Sequence, residues 1–80
     1  MNQTAKTLAE LSIMGIEITE DFLTAHISDG REVSIPIAWF PRLIGAQSDQ
    51  LSNYEISPSG YGIHWPDLDE DISIRAFINP

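Results

Sequence analysis

Apolar and polar residues alternate along three consecutive stretches in the first half of the chain. From Gly15 onward, Ile16 and Ile18 are separated by a polar residue, and the same period of two runs through residues 22–27 and 32–37. In an extended strand this period places every second side chain on the same face. The pattern therefore predicts three strands, each with one apolar face, joined as consecutive antiparallel hairpins.

The loop between the second and third predicted strands has to keep their apolar faces together. A two-residue loop at residues 29–30 would place Ile27 opposite Glu32 and would mix the two faces. A three-residue loop at residues 28–30 instead pairs Ala25 with Val33 and places Gly30 in a left-handed conformation, which glycine adopts at no steric cost. We therefore predict the three-residue loop.

Two further turns follow from the same rule of matching faces. Residues 20–21 form a short turn in the first hairpin. In the second half of the chain, residues 54–57 and 61–66 alternate on either side of a two-residue turn at Ser59-Gly60. The predicted cross-strand pairs are Ile18 with Leu23, Ile16 with Ala25, Ile56 with Ile63, Tyr54 with Trp65 and Glu55 with His64.

Helical spacing occurs in the segment that follows the third strand. In residues 38–45, Trp39 and Leu43 are i,i+4 neighbours, as are Phe40 and Ile44, so both pairs would cover the sheet. Proline is tolerated in the first turn of a helix, and Gly45 would end it. Residues 48–53 predict a second short turn, with Ser48 as its cap and Leu51 pointing inward.

The two ends of the chain are less regular. Residues 72–78 fit either a strand or a short helix capped by Ser73, and the helix is slightly preferred. Residues 1–14 carry Leu8, Leu11 and Met14 at helical spacing and predict a partly helical or frayed N-terminal extension. The remainder, residues 15–80, is predicted to be a single α+β domain of about five strands in antiparallel hairpins, packed against one or two short helices.

Composition narrows the range of functions. The 80 residues include no cysteine, which favours a reducing cytoplasm and excludes thiolate metal sites. No stretch resembles a signal peptide or could span a bilayer, so no membrane role is expected. Twelve acidic residues against four Lys and Arg give a net charge of -8, which disfavours binding to nucleic acid and is compatible with a basic protein partner.

The acidic segment near the C-terminus is the main candidate for metal chemistry. Asp67, Asp69 and Asp71 alternate, with Glu70 between them, like the start of a calcium loop. That loop also needs a glycine at its sixth position and a glutamate at its twelfth, and isoleucines stand at both. A weak metal-assisted hydrolase that uses these acids with His64 remains the alternative to an acidic surface turn without a resident metal.

The remaining candidates are two histidines and two tryptophans. His64 opposite Glu55 could act as a general base with its orienting carboxylate, but a cross-strand charge pair is the favoured interpretation. His26 opposite Glu32 has the same interpretation. Trp39 and Trp65 fit core packing first and a protein interface second, in which Trp39 with Arg42 would be a typical anchor.

Several segments carry a family resemblance when they are taken together. They are Asp29-Gly30-Arg31, Ile35-Pro36-Ile37, Trp39-Phe40-Pro41-Arg42-Leu43, Gly60-Tyr61-Gly62-Ile63-His64-Trp65-Pro66 and Leu68-Asp69-Glu70-Asp71-Ile72-Ser73-Ile74. In this order and spacing the chain resembles the bacterial domain-of-unknown-function 2442 (DUF2442) family over about residues 16–78, with residues 1–14 outside the pattern.

The resemblance implies a small α+β domain with two hairpins, packing helices and no known enzymatic activity. Similar members are often encoded beside small partner proteins in pairs suggestive of toxin–antitoxin modules. Some members carry an added helix-turn-helix domain that would bind DNA. This chain ends at Pro80 without one, so direct DNA binding is not expected.

The sequence therefore predicts a cytoplasmic, non-enzymatic protein-interaction module without a cofactor. It would be the antitoxin-like member of a gene pair, with a basic partner encoded nearby. An accessory role beside a DNA-binding regulator is a second alternative, and a homodimer is expected because strand edges need cover. The predicted partner-binding residues are Trp39, Arg42, Trp65, Asp67, Asp69, Glu70 and Asp71.

Overall fold

Two antiparallel sheets of three strands each form the framework of residues 11–78, the part of the chain that the structure, a computed structural model, describes. The strand orders are β1-β2-β3 and β4-β5-β6. In chain order the elements are β1 (Ile13–Ile18), β2 (Phe22–Ile27), β3 (Glu32–Pro36), a 3₁₀ helix (Ile37–Trp39), α1 (Ser48–Ser52), β4 (Glu55–Ile56), β5 (Gly62–Trp65), β6 (Glu70–Ser73) and α2 (Arg75–Ile78).

The first sheet confirms the predicted registers. Ala25 pairs with Val33 across β2 and β3, and Ile18 pairs with Leu23 across β1 and β2. The loop at residues 28–30 is closed by a bond of 2.9 Å from the N–H of Gly30 to the carbonyl of Ile27. Gly30 has a φ of 99°, the left-handed conformation that this loop needs.

The second sheet confirms the pairing of Ile56 with Ile63 and of Glu55 with His64, but its loop is longer than predicted. The last bond of the strand ladder, 2.9 Å long, runs from the N–H of Ser57 to the carbonyl of Gly62, so residues 58–61 form a four-residue loop. Pro58 has no N–H with which to continue the ladder. The Ser57 hydroxyl instead accepts the N–H groups of Tyr61 and Gly62, at 2.9 and 3.2 Å.

The prediction of five strands is wrong because residues 70–78 divide between two structures. Glu70–Ser73 form a sixth strand, which pairs Ile72 with Ile63, and the short helix α2 follows directly. The Ser73 hydroxyl accepts the N–H of Arg75 at 3.1 Å and so helps start the helix. The strand and the helix that the sequence offered as alternatives therefore both occur, one after the other.

The predicted helix over residues 38–45 is also wrong. Only Ile37–Trp39 are helical, and the bonds that follow, such as Leu43 N–H to the Phe40 carbonyl at 2.9 Å, span three residues rather than four. Phe40 stands before Pro41, and its φ of -125° and ψ of 89° are outside the helical region. Trp39 and Leu43 consequently do not share a buried face.

Two smaller predictions about element ends need correction. The cap of α1 is Gln47 rather than Ser48, and in this capping box its backbone N–H donates to the side-chain oxygen of Gln50 at 3.0 Å. β1 begins at Ile13, two residues before the predicted Gly15. Of the helical stripe predicted in residues 1–14, Leu8 lies outside the described residues, Leu11 is buried and Met14 is exposed.

One hydrophobic core lies between the inner faces of the two sheets and the segments that cover them. Trp65, Leu23, Leu43, Ile63 and Ile74 are its largest fully buried side chains. α1 adds Leu51, which is partly buried against this core as predicted.

Candidate functional site

One arginine joins the segment after β3 to residues 67–71, the acidic turn. The guanidinium of Arg42 donates to the backbone carbonyl of Asp69, and it lies 3.4 Å from the Asp69 carboxylate. Asp69 has a φ of 52°, which is uncommon for a residue with a side chain. This contact therefore joins two of the predicted partner-binding residues, Arg42 and Asp69. It also gives the carbonyl of Asp69, whose backbone is left-handed, a hydrogen-bond donor.

The two tryptophans have opposite environments. Trp65 is fully buried, donates its ring N–H to the carbonyl of Leu51 at 3.0 Å and packs against Tyr54 with ring centroids 6.2 Å apart. This confirms the interpretation of Trp65 as a core residue near Tyr54 and removes it from the predicted partner surface. Trp39 is 53% exposed, so its interpretation as a core residue is wrong.

The acidic residues of the turn engage separate partners instead of converging. Asp67 accepts the side-chain amide of Asn53 at 3.0 Å, the Asp69 carboxylate faces Arg42, and Asp71 contacts His64. Across residues 11–78 no group of three or more His, Asp or Glu side chains could hold a metal ion together. The geometry gives an acidic surface, with Glu70 half-buried beside it.

Each central strand presents one histidine to the carboxylates of its neighbours. His64 Nδ1 lies 2.7 Å from Asp71 on β6, although the backbone register also places Glu55 on its other side. His26 Nε2 lies 2.9 Å from Glu17, and its Nδ1 lies 3.5 Å from Glu32. The side-chain partner predicted for His64 was wrong, because residues 70–73 were not recognised as a strand.

The histidine and carboxylate pairs do not form a metal site or a catalytic triad. The two carboxylates at His26 approach opposite ring nitrogens, so one ion could not bind all three groups. At His64, Asp71 engages Nδ1 as an orienting carboxylate would, but no Ser or Thr hydroxyl of residues 11–78 is hydrogen-bonded to the other ring nitrogen, as an activated nucleophile would be. What the arrangement provides is cross-strand pairing of a histidine with carboxylates in each sheet.

A groove of about 490 Å³ opens beside the segment that carries Trp39. The turn between β1 and β2, with Glu20 and Asp21, forms one wall, and Ile44 lies on the other. The sequence reasoning missed this groove, because it assigned Ile44 to the buried face of a helix that does not form. Glu20 and Asp21 were recognised in the sequence only as a short turn, and no pattern there indicated a binding groove.

Charge on the surface is strongly unbalanced. Of the three arginines in residues 11–78, Arg31 lies 2.8 Å from Asp29 and Arg42 contacts Asp69, so two already engage acids of the same chain. Desolvation raises the pKa of Asp29, but the hydrogen bonds from Arg31 and its positive charge together outweigh that effect, so the pKa lies below its ordinary value. None of the helices described in residues 11–78 is long and apolar enough to cross a membrane.

Comparison with known proteins places this geometry in a family. The sequence model of the family described as "Protein of unknown function (DUF2442)" matches residues 3–80. The match confirms the resemblance and extends beyond the predicted range of residues 16–78, so residues 3–14 also belong to the pattern. A search of the curated proteins finds no match.

Two solved structures share the fold. A protein of unknown function from Rhodospirillum rubrum is 29% identical, with a TM-score of 0.68, and the similarity covers 84% of this chain and 83% of that one. An uncharacterized protein from Chromobacterium violaceum, solved by NMR in solution, is 26% identical, with a TM-score of 0.67. That similarity covers 84% of this chain but 63% of the other, so this chain spans less than two thirds of its length.

Proposed function

Since the chain belongs to the DUF2442 family of proteins of unknown function, we propose from its own surface that it is a cytoplasmic, non-enzymatic protein-interaction module. The observation that carries the proposal is the position of Trp39, which is 53% exposed at the end of a 3₁₀ helix. Exposed tryptophans are enriched among the residues that dominate binding energy at protein interfaces.

The surroundings of Trp39 indicate the chemistry of the partner. Three residues later, Arg42 connects the segment to Asp69 and so to the acidic turn with Asp67 and Asp71. Ordering of this segment before binding lowers the entropy that association costs. A partner with a basic surface and an apolar pocket for the indole ring complements this arrangement.

We further propose an antitoxin-like role in a gene pair, with the partner encoded nearby. The basis is the resemblance to family members that are encoded beside small proteins, together with the net charge of -8. A basic partner that is harmful alone would lose activity when this acidic surface covers it. Expression of the neighbouring gene with and without this chain tests the role, because the chain should restore growth that its partner inhibits.

Affinity capture from the native host tests the interaction itself. The full chain, bound under gentle conditions, should enrich the same protein in every replicate, and the purified protein should bind it directly. Recovery of the chain alone would contradict the proposal. Enrichment of a DNA-binding regulator would instead support the accessory role.

One contact favours a second candidate function, a weak metal-assisted hydrolase. His64 lies 2.7 Å from Asp71, as a general base lies beside its orienting carboxylate. The divergent directions of Asp67, Asp69 and Asp71 weigh against it, since a divalent ion needs several oxygens around one point. A titration with metal ions separates the two functions.

Self-association is a further part of the proposal. Within the described part of the chain, β3 has a neighbouring strand on one side only, and such edges present unpaired backbone groups that another chain can extend. Sedimentation at increasing protein concentration should show a dimer, and a monomer throughout would contradict it.

A further inference from the structure

The groove beside Trp39 has an apolar floor and a defined shape. Ile37 and Leu43 are buried beneath it, and Leu51 is partly buried against the core. The N–H of Ile37 donates to the carbonyl of Asp21 at 2.9 Å, so the floor is tied to the turn that forms one wall. The groove is therefore part of the packed fold.

The opposite wall carries an unusual apolar side chain. Ile44 is 55% exposed, although its neighbour Leu43 belongs to the core and is 1% exposed. Gly45 and Ala46 continue this wall with almost no side-chain bulk, which lets another chain approach closely. The exposed isoleucine thus extends the apolar floor to the rim.

The first wall supplies the charge. Glu20 and Asp21 are both exposed at the tip of the turn between β1 and β2. Within residues 11–78 neither carboxylate forms a salt bridge, and the groove is lined by no Lys, Arg or His. An apolar floor with two carboxylates on one rim complements a ligand that is apolar at its centre and basic at its edge.

We propose that this groove binds an extended segment of a partner protein, which places one aliphatic or aromatic side chain on the floor and Lys or Arg beside Glu20 and Asp21. The inference rests on the proposed function and names the chemistry that the partner must present. At the groove itself, the charge favours this occupant over the other candidates. A second copy of this chain also carries -8, and a phosphate backbone would be repelled by the rim.

Short synthetic peptides test the groove directly. The probe is a capped peptide with a central leucine between lysines, titrated into the isotopically labelled full chain and followed by NMR. We expect the amide signals of Glu20, Ala38 and Ile44 to shift, and binding to weaken with added salt. The same peptide with serine for leucine, or with glutamate for lysine, should bind at least about tenfold more weakly, as loss of a central anchor or reversal of charge requires.

Variants of the protein provide the matched controls. Ile44→Ser should weaken peptide binding about tenfold, and the double variant Glu20→Gln, Asp21→Asn should remove most of its salt dependence. Met14→Ser changes another exposed apolar residue and Glu55→Gln another exposed carboxylate, both away from the groove, so neither should alter binding. All four variants change only exposed side chains, and unchanged melting temperatures would confirm that each variant is folded.

Several results would contradict the proposed binding of a peptide segment in the groove. The inference is overturned by shifts that map to residues 67–71 instead of the groove, by equal binding of the glutamate peptide, or by the absence of any groove shift at millimolar peptide. A captured partner that binds the Ile44→Ser variant as tightly as the unchanged chain would also overturn it while leaving the proposed function intact. Failure to capture any partner bears on the proposed function, whereas the peptide titration decides the groove independently.

Discussion

The backbone N–H of Ile13 donates to the carbonyl oxygen of Gly60 at 2.7 Å, which joins the first strand of one sheet to the hairpin loop of the other. The Ser12 hydroxyl adds a bond to the carbonyl of Ser59 at 3.0 Å. Gly60 is buried at this contact with a φ of 73°. The junction between the two sheets therefore depends on one glycine that lies against the backbone of β1.

Gly60→Ala should destabilise the protein severely. The added Cβ would lie 2.6 Å from the Cβ of Ser12 and 3.0 Å from the N of Ile13, and the left-handed backbone is itself unfavourable for alanine. We expect a loss of about 2–4 kcal/mol in the free energy of unfolding, from strain and overpacking together. Urea unfolding followed by circular dichroism measures it.

Gly30 and Gly45 provide the matched controls. Both have positive φ, at 99° and 77°, but an added Cβ meets nothing within 4 Å at either position. Alanine there should cost only the conformational strain, about 1–2 kcal/mol. If Gly60→Ala cost no more than these variants, the close contact with Ser12 would not hold the sheets together.

The two tryptophans should respond differently to the same substitution. Trp65→Phe removes buried volume and leaves the carbonyl of Leu51 without its donor, so it should lower the free energy of unfolding by about 1–3 kcal/mol. Trp39→Phe changes a half-exposed side chain and should stay within about 0.5 kcal/mol of the unchanged protein. Equal losses would contradict the assignment of one to the core and the other to the surface.

The period of two was sufficient to predict the strand registers. Requiring Ala25 and Val33 on one face decided the length of the loop at Gly30, because a loop shorter by one residue inverts every side chain. The same reasoning placed Ile56 opposite Ile63. It did not predict the length of the loop after Ser57. Pro58 has no N–H with which to continue the strand ladder, and the Ser57 hydroxyl accepts backbone N–H groups of the loop instead.

The features around the candidate site could not be predicted in the same way. The i,i+4 spacing of Trp39 and Leu43 suggested a helix, but the restriction that Pro41 imposes on Phe40 ends the helical backbone before Leu43. As a result Trp39 is exposed and Leu43 is buried. The partner of His64 was also predicted wrongly. Residues 72–78 satisfied both strand and helix patterns, so the sequence did not reveal that a sixth strand places Asp71 beside His64.

Acid should remove the stability that Asp29 contributes. Desolvation raises the pKa of this carboxyl, but hydrogen bonds from Arg31 and the arginine charge together outweigh it, so the pKa is lower in the folded chain than its ordinary 3.8. Its contribution is therefore complete above about pH 4 and is lost as pH falls through the folded pKa. Asp29→Asn should be less stable than the unchanged protein at neutral pH, and the difference should shrink at lower pH. A difference independent of pH would contradict the contribution of the carboxylate.

Metal ions should not stabilise the protein through its acidic turn. A ligand that binds only the folded state raises the melting temperature, and the carboxylates of Asp67, Asp69 and Asp71 point to separate partners. Titration with calcium, magnesium, manganese and zinc should leave the melting temperature unchanged. A rise that Asp69→Asn abolishes would favour the hydrolase.

The most direct test of the interaction module compares three baits in the same host lysate: the unchanged chain, Trp39→Ser and Met14→Ser. Trp39 and Met14 are both exposed apolar residues, at 53% and 68%, so the two variants lose comparable surface without disturbing the core. We predict that one partner is enriched by the unchanged chain and by Met14→Ser, and is lost or reduced at least about tenfold with Trp39→Ser. Equal recovery with Trp39→Ser, or no partner with any bait, would contradict the account.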